Sequence, residues 1–131
     1  MTQPQSDPSR SIPVERHDQP KVLVVEDDAD IRAILAVFLA DKGFNVKVAD
    51  SGHRALELLG EEPVDLILSD VRMPGMTGIE LLRTLKERDP EIELVLMSAY
   101  SCVRDAVEAI QDLAKKRGLP DDVSIHGAFD N

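Results

Sequence analysis

The 131-residue chain carries a formal charge of −10, is 43% hydrophobic and 31% charged, and holds one cysteine and no tryptophan. That length supports one domain with one core, and Cys102 alone offers neither a disulfide framework nor a cysteine zinc cluster. The acidic balance argues against direct nucleic-acid binding, which needs clustered Lys and Arg, and suits a cation or a basic partner surface.

Aromatic residues make up 3% of the chain, so its core must be built from Leu, Ile, Val and Ala, as in a parallel sheet covered by helices on both faces. No stretch approaches the roughly 18 apolar residues of a membrane span. No membrane association is expected, and a reducing, cytoplasmic setting fits the cysteine usage.

Residues 1–20 contain Pro4, Pro8, Pro13 and Pro20 among polar residues and read as a flexible N-terminal arm. Lys21 to Val25 form a first strand that runs straight into Glu26, Asp27 and Asp28. Three adjacent acids repel one another, which implies a positive group beside them.

A helix from Ala29 to Asp41 follows, with Ile31, Ile34, Leu35, Phe38 and Leu39 at core spacing and Gly43 as its stop. Asn45 to Ala49 make a second strand, and a second helix starts at Ser51 and closes at Gly60 to Pro63. The central strand, Asp65 to Ser69, delivers Asp70 to a loop containing Pro74, Gly75 and Gly78.

Thr77 to Arg88 form a third helix that points Ile79, Leu82 and Leu85 inward and ends at Asp89-Pro90. A fourth strand, Glu93 to Ser98, leads to a fourth helix, Val103 to Lys116, with Gly118 as its stop. This rhythm predicts parallel strands joined by right-handed crossovers. Beyond Asp121 the pattern weakens: Val123 to Ile125 read as a fifth strand, and no fifth helix follows before Asn131.

In an open parallel sheet the carboxyl ends of the strands share one edge, where ligands bind. Glu26 and Asp27 from the first strand, Asp70 from the third and Ser98 from the fourth should therefore meet. Hard oxygen donors in that number suit Mg²⁺, and a carboxylate can accept a phosphoryl group as an aspartyl phosphate.

The runs Val-Leu-Val-Val-Glu26-Asp27-Asp28, Leu-Ile-Leu-Ser-Asp70-Val-Arg-Met-Pro74-Gly-Met-Thr-Gly78 and Val-Leu-Met-Ser98-Ala99 resemble the receiver domain of two-component response regulators. The resemblance covers roughly residues 21–110. It implies a flavodoxin-like, doubly wound sheet of order 2-1-3-4-5, a receiver domain over residues 21–126 and a tail over 127–131.

By that resemblance Asp70 is the phosphoacceptor, and Asp27 ligates Mg²⁺ directly. Glu26 reaches the metal through water, and Arg72 lends its backbone carbonyl. Ser98 is the switch hydroxyl, with Ala99 the small residue that leaves it room. The implied partners are a sensor histidine kinase or phosphotransfer protein and a downstream protein target.

The chain departs from the family pattern at its C-terminal end. No Lys-Pro pair occurs; His126-Gly127 is the nearest counterpart, Val123 stands where a switch aromatic is usual, and a fifth helix is missing or truncated. Slower phosphorylation of Asp70 is expected, together with homodimerisation through the region after Gly118. Two other readings are a phosphorylation-independent interaction module and an aspartyl-phosphate enzyme. Arg72 stands where such an enzyme needs a second acid, which counts against the latter.

Overall fold

A computed structural model describes residues 19–98 and 102–119 of the chain. Strands β1 (Lys21–Val25), β2 (Asn45–Ala49), β3 (Leu66–Asp70) and β4 (Leu94–Met97) alternate with helices α1 (Ala29–Asp41), α2 (Gly52–Glu61), α3 (Gly78–Arg88) and α4 (Val103–Lys116). The strands form one parallel sheet of order β2-β1-β3-β4. The fifth strand read at Val123 to Ile125, residues 1–18 of the N-terminal arm and the tail fall outside the described residues.

Period-two alternation divides the central strands between two cores. Val22, Val24, Leu66 and Leu68 pack with Leu35 and Leu39 of α1 and with Val107 and Ile110 of α4. Leu23, Val25 and Ile67 pack on the other face with Ala55 of α2 and Leu81 and Leu85 of α3. Strands buried on both sides must be continuous apolar runs, and Val-Leu-Val-Val and Leu-Ile-Leu meet that demand.

Local chemistry sets the helix starts. Asp28 accepts the amides of Asp30 and Ile31 at the head of α1, and Ser51 accepts that of Arg54 at the head of α2. Thr77 and Glu80 form a reciprocal capping box on α3. Gly43 follows α1 with φ +96, a conformation few other residues adopt without strain.

Helix α4 lies on the face of α1, packed against β3 and β4. It thus covers the sheet as a closing helix does, and β4 is an edge strand among the described residues.

Helical spacing also misassigned some core positions. Ile31, Ile34 and Phe38 are 40%, 44% and 47% exposed, and only Leu35 and Leu39 of α1 are buried. This helix is apolar nearly all round, so periodicity could not single out its buried stripe. On α3 the buried pair is Leu81 and Leu85, with Ile79 exposed and Leu82 half-buried.

Candidate functional site

The site lies at the carboxyl ends of β1 and β3. Val25 pairs with Ser69 in the parallel register, which sets Glu26 level with Asp70 one residue further on. Glu26, Asp27 and Asp70 each offer a carboxylate oxygen within 4.8 Å of the other two. Residues far apart in sequence meet because the crossovers bring both strands to this edge in the same direction.

Glu26 is buried, Asp70 half-buried and Asp27 exposed. The Glu26 backbone is clamped: its amide donates to the Ala49 carbonyl at 3.0 Å, and its carbonyl accepts from Arg32 Nη1 at 2.8 Å. Its Oε2 accepts the Asp28 amide at 3.0 Å.

Beyond Asp70, the Val71 amide donates to the Met97 carbonyl and the Gly78 amide to the Val71 carbonyl, each at 2.9 Å. The Arg72 amide reaches Asp70 Oδ1 at 3.3 Å. These bonds hold the loop after β3 in place while leaving the Asp70 carboxylate facing a cleft of about 330 Å³.

That cleft is lined on its polar side by Glu26, Asp27, Asp28, Asp70 and Ser98. Ile31 and Leu35 of α1 and Cys102 and Val103 at the head of α4 also line it. Four of the expected site residues therefore converge, and Arg72 stands beside Asp70 with its amide turned to it. Ala99 lies outside the described residues, as do His126 and Val123.

Sequence reasoning missed Arg32, whose spacing from Glu26 is a helix-start geometry without a motif of its own. It also missed Cys102 and Val103, because their presence in the cleft depends on the face that α4 takes. Cys102 caps α4, its Sγ accepting the Asp105 amide at 3.4 Å.

Burial pushes the Glu26 carboxyl up to about 7, against the pull of the Asp28 amide and with the negative charges of Asp70 and Asp27 adding to the rise. Crowded hard oxygens with mutual repulsion are the donor set that a small divalent cation relieves, so the residues fit Mg²⁺.

A pH dependence follows. Folded Glu26 holds its proton more tightly than the unfolded chain does, so its stabilising contribution is full below about pH 4.5 and is lost as pH rises through about 7. Without divalent cation the loss is on the order of 1–2 kcal/mol. Thermal unfolding in EDTA between pH 5 and 8 should show it, Mg²⁺ should restore stability at the upper end, and Glu26→Gln should flatten the profile.

A family model, the response regulator receiver domain, matches residues 22–116, well over half of the chain. The chain belongs to the response regulator receiver family. The receiver is 44% identical over 122 residues to the rice two-component response regulator ORR5, spanning 88% of this chain and 91% of that protein. It is 45% identical over 95 residues to the Escherichia coli transcriptional regulatory protein ZraR, spanning 72% of this chain but only 22% of ZraR.

Among solved structures, the receiver resembles the response regulator TrrA of Thermotoga maritima in complex with Mg²⁺-BeF, at 30% identity and a TM-score of 0.61, over 66% of this chain and 76% of that one. Receiver domains are two-component signalling domains that bind Mg²⁺ in an acidic pocket and are phosphorylated by histidine kinases or phosphotransfer proteins. Among the described residues, no helix is long and apolar enough to cross a membrane.

Proposed function

We propose that this receiver takes a phosphoryl group on Asp70 from the phosphohistidine of a sensor kinase or phosphotransfer protein and passes the signal to a downstream protein by a change of conformation. The observation that carries this reading is the convergence of the Glu26, Asp27 and Asp70 carboxylates within 4.8 Å.

Asp27, Asp70, the Arg72 carbonyl and, through water, Glu26 would hold Mg²⁺. The bound cation would offset the negative charge on the phosphoryl oxygens and on the acids around it. Asp70 is the nucleophile: a new O–P bond forms at its carboxylate as the P–N bond to the donor imidazole breaks, and the imidazole leaves carrying a proton.

The Arg72 amide, donating to Asp70 Oδ1, restrains the rotation of that carboxylate. Ser98, on the same cleft, supplies a hydroxyl to a phosphoryl oxygen. A charged Asp70 then biases a two-state equilibrium in the surrounding elements.

The role is one of signalling rather than of turning over a small-molecule substrate. The acidic charge of the chain says nothing about nucleic acid for a longer protein: ZraR is named a transcriptional regulator, and the chain spans about a fifth of it.

Incubation with Mg²⁺ and acetyl phosphate, followed by intact mass, tests the proposal. One phosphoryl group should add to the wild-type chain, more slowly than to a receiver carrying the Lys-Pro pair, and none to Asp70→Asn. The absence of that pair from the sequence favours a second reading, a phosphorylation-independent interaction module. Failure to add mass would establish it over the first.

A further inference from the structure

We infer that Arg32 is a positioning residue for the cation site: by holding the Glu26 carbonyl, its guanidinium fixes the peptide plane from which Asp27 is aimed at the cation. The inference rests on the functional reading above and names the residue that sets its geometry. Arg32 stands outside the lining of the acid cleft, so its effect on the site is carried by the backbone.

Arg32 grips the chain on both sides of Asp27. Its amide donates to the Asp28 carbonyl at 2.9 Å, closing the first turn of α1, and its Nη1 donates to the Glu26 carbonyl at 2.8 Å. Side chains on a helix lean toward its N-terminus, which lets a residue in the first turn reach back to the end of β1. Asp28 is held further by its own cap bonds to the amides of Asp30 and Ile31.

The Glu26 carbonyl needs such a partner. Sheet pairing ends at Val25, opposite Ala49 and Ser69, so the peptide joining Glu26 to Asp27 lies just past the ladder. Because that peptide is planar, the bond to its oxygen sets the direction in which Asp27 leaves the backbone. Asp27 is exposed, and packing does little to aim it. Glu26 is buried and takes the Asp28 amide on its own carboxylate, so the clamp matters most to Asp27.

The acceptor that Arg32 takes is informative. The residue is half-buried close to a run of acids, yet among the described residues its guanidinium pairs with no carboxylate. A salt bridge to Asp27 would set Arg32 against the cation for the same oxygens. A charge-assisted bond to a carbonyl is stronger than a neutral one and leaves the carboxylates of the cluster to the metal.

Arg32→Met keeps a long side chain and removes its donors. This full-length variant, the wild type, Asp27→Asn and the double variant are titrated with Mg²⁺ alone and followed by amide ¹H–¹⁵N shifts, which register weak binding as well as tight. Mg²⁺ binding should be about tenfold weaker in Arg32→Met. The cation-free spectrum should show a displaced Asp27 ¹⁵N resonance, since that nitrogen is bonded to the clamped carbonyl. In the Asp27→Asn background the added loss should fall to about twofold or less. Arg32→Gln, with a shorter side chain, should repeat the pattern.

Unchanged Mg²⁺ affinity in Arg32→Met, or an Asp27 resonance that stays in place, overturns this inference alone. So does a loss that recurs in full in the Asp27→Asn background, which marks a general loosening of the fold, and so does loss of the folded spectrum in both Arg32 variants. A wild-type chain that binds no Mg²⁺ overturns the functional reading and this one with it.

Discussion

Gly78→Ala is expected to destabilise the receiver by about 3 kcal/mol or more and to weaken its hold on cations. Gly78 opens α3, and its amide closes the loop back onto Val71. A Cβ at this position would overlap the carbonyl oxygen of Asp70 and press on the Leu96 side chain. Backbone cannot rotate out of the way as a flexible side chain can, so relief must come from shifting Asp70 itself.

Chemical denaturation should report the stability loss, and Mg²⁺ titration the displaced carboxylate. Gly60→Ala is the control. Nothing lies within 4 Å of a Cβ there, the residue sits inside α2, and helix propensity predicts a gain of roughly 0.5–1 kcal/mol. Equal losses at the two positions would show that glycine content, not contact with Asp70, governs the effect.

The second large effect separates stability from cation affinity within the acid cluster. Glu26→Gln removes a buried carboxylate crowded by Asp27 and Asp70 and should stabilise the cation-free protein at pH 8 by about 1–2 kcal/mol. The same change should weaken Mg²⁺ by about tenfold, the scale seen when supporting ligands are lost.

Asp27→Asn should weaken Mg²⁺ by more than that, about a hundredfold, with a smaller change in stability because the side chain is exposed. Calorimetric titration with Mg²⁺, paired with thermal unfolding in EDTA, measures both quantities. If Glu26→Gln lowered cation-free stability instead, the cluster would be held together by hydrogen bonds rather than strained by repulsion.

Much of this was legible in the sequence, for physical reasons that differ by element. The strands were readable because a sheet covered on both faces requires unbroken apolar runs, and Val22 to Val25 and Leu66 to Leu68 are such runs. The site was readable because parallel strands must present their ends together, which puts the acids at the ends of β1 and β3 on one edge.

What escaped depended on which face a helix takes. The pattern of α4 marks Val107 and Ile110 as buried without saying on which side of the sheet. The cleft lining at Cys102 and Val103 follows from that placement. The stripe of α1 escaped for another reason: Ile31, Ile34 and Phe38 are as apolar as Leu35 and Leu39, and composition does not distinguish them.

The most direct measurement treats the wild-type protein with acetyl phosphate in Mg²⁺ or in EDTA, reduces any acyl phosphate with borohydride and sequences the peptides by mass spectrometry. The account predicts reduction to homoserine at position 70 alone, and only where Mg²⁺ was present. Label on another acid, or label at Asp70 undiminished by EDTA, would contradict it.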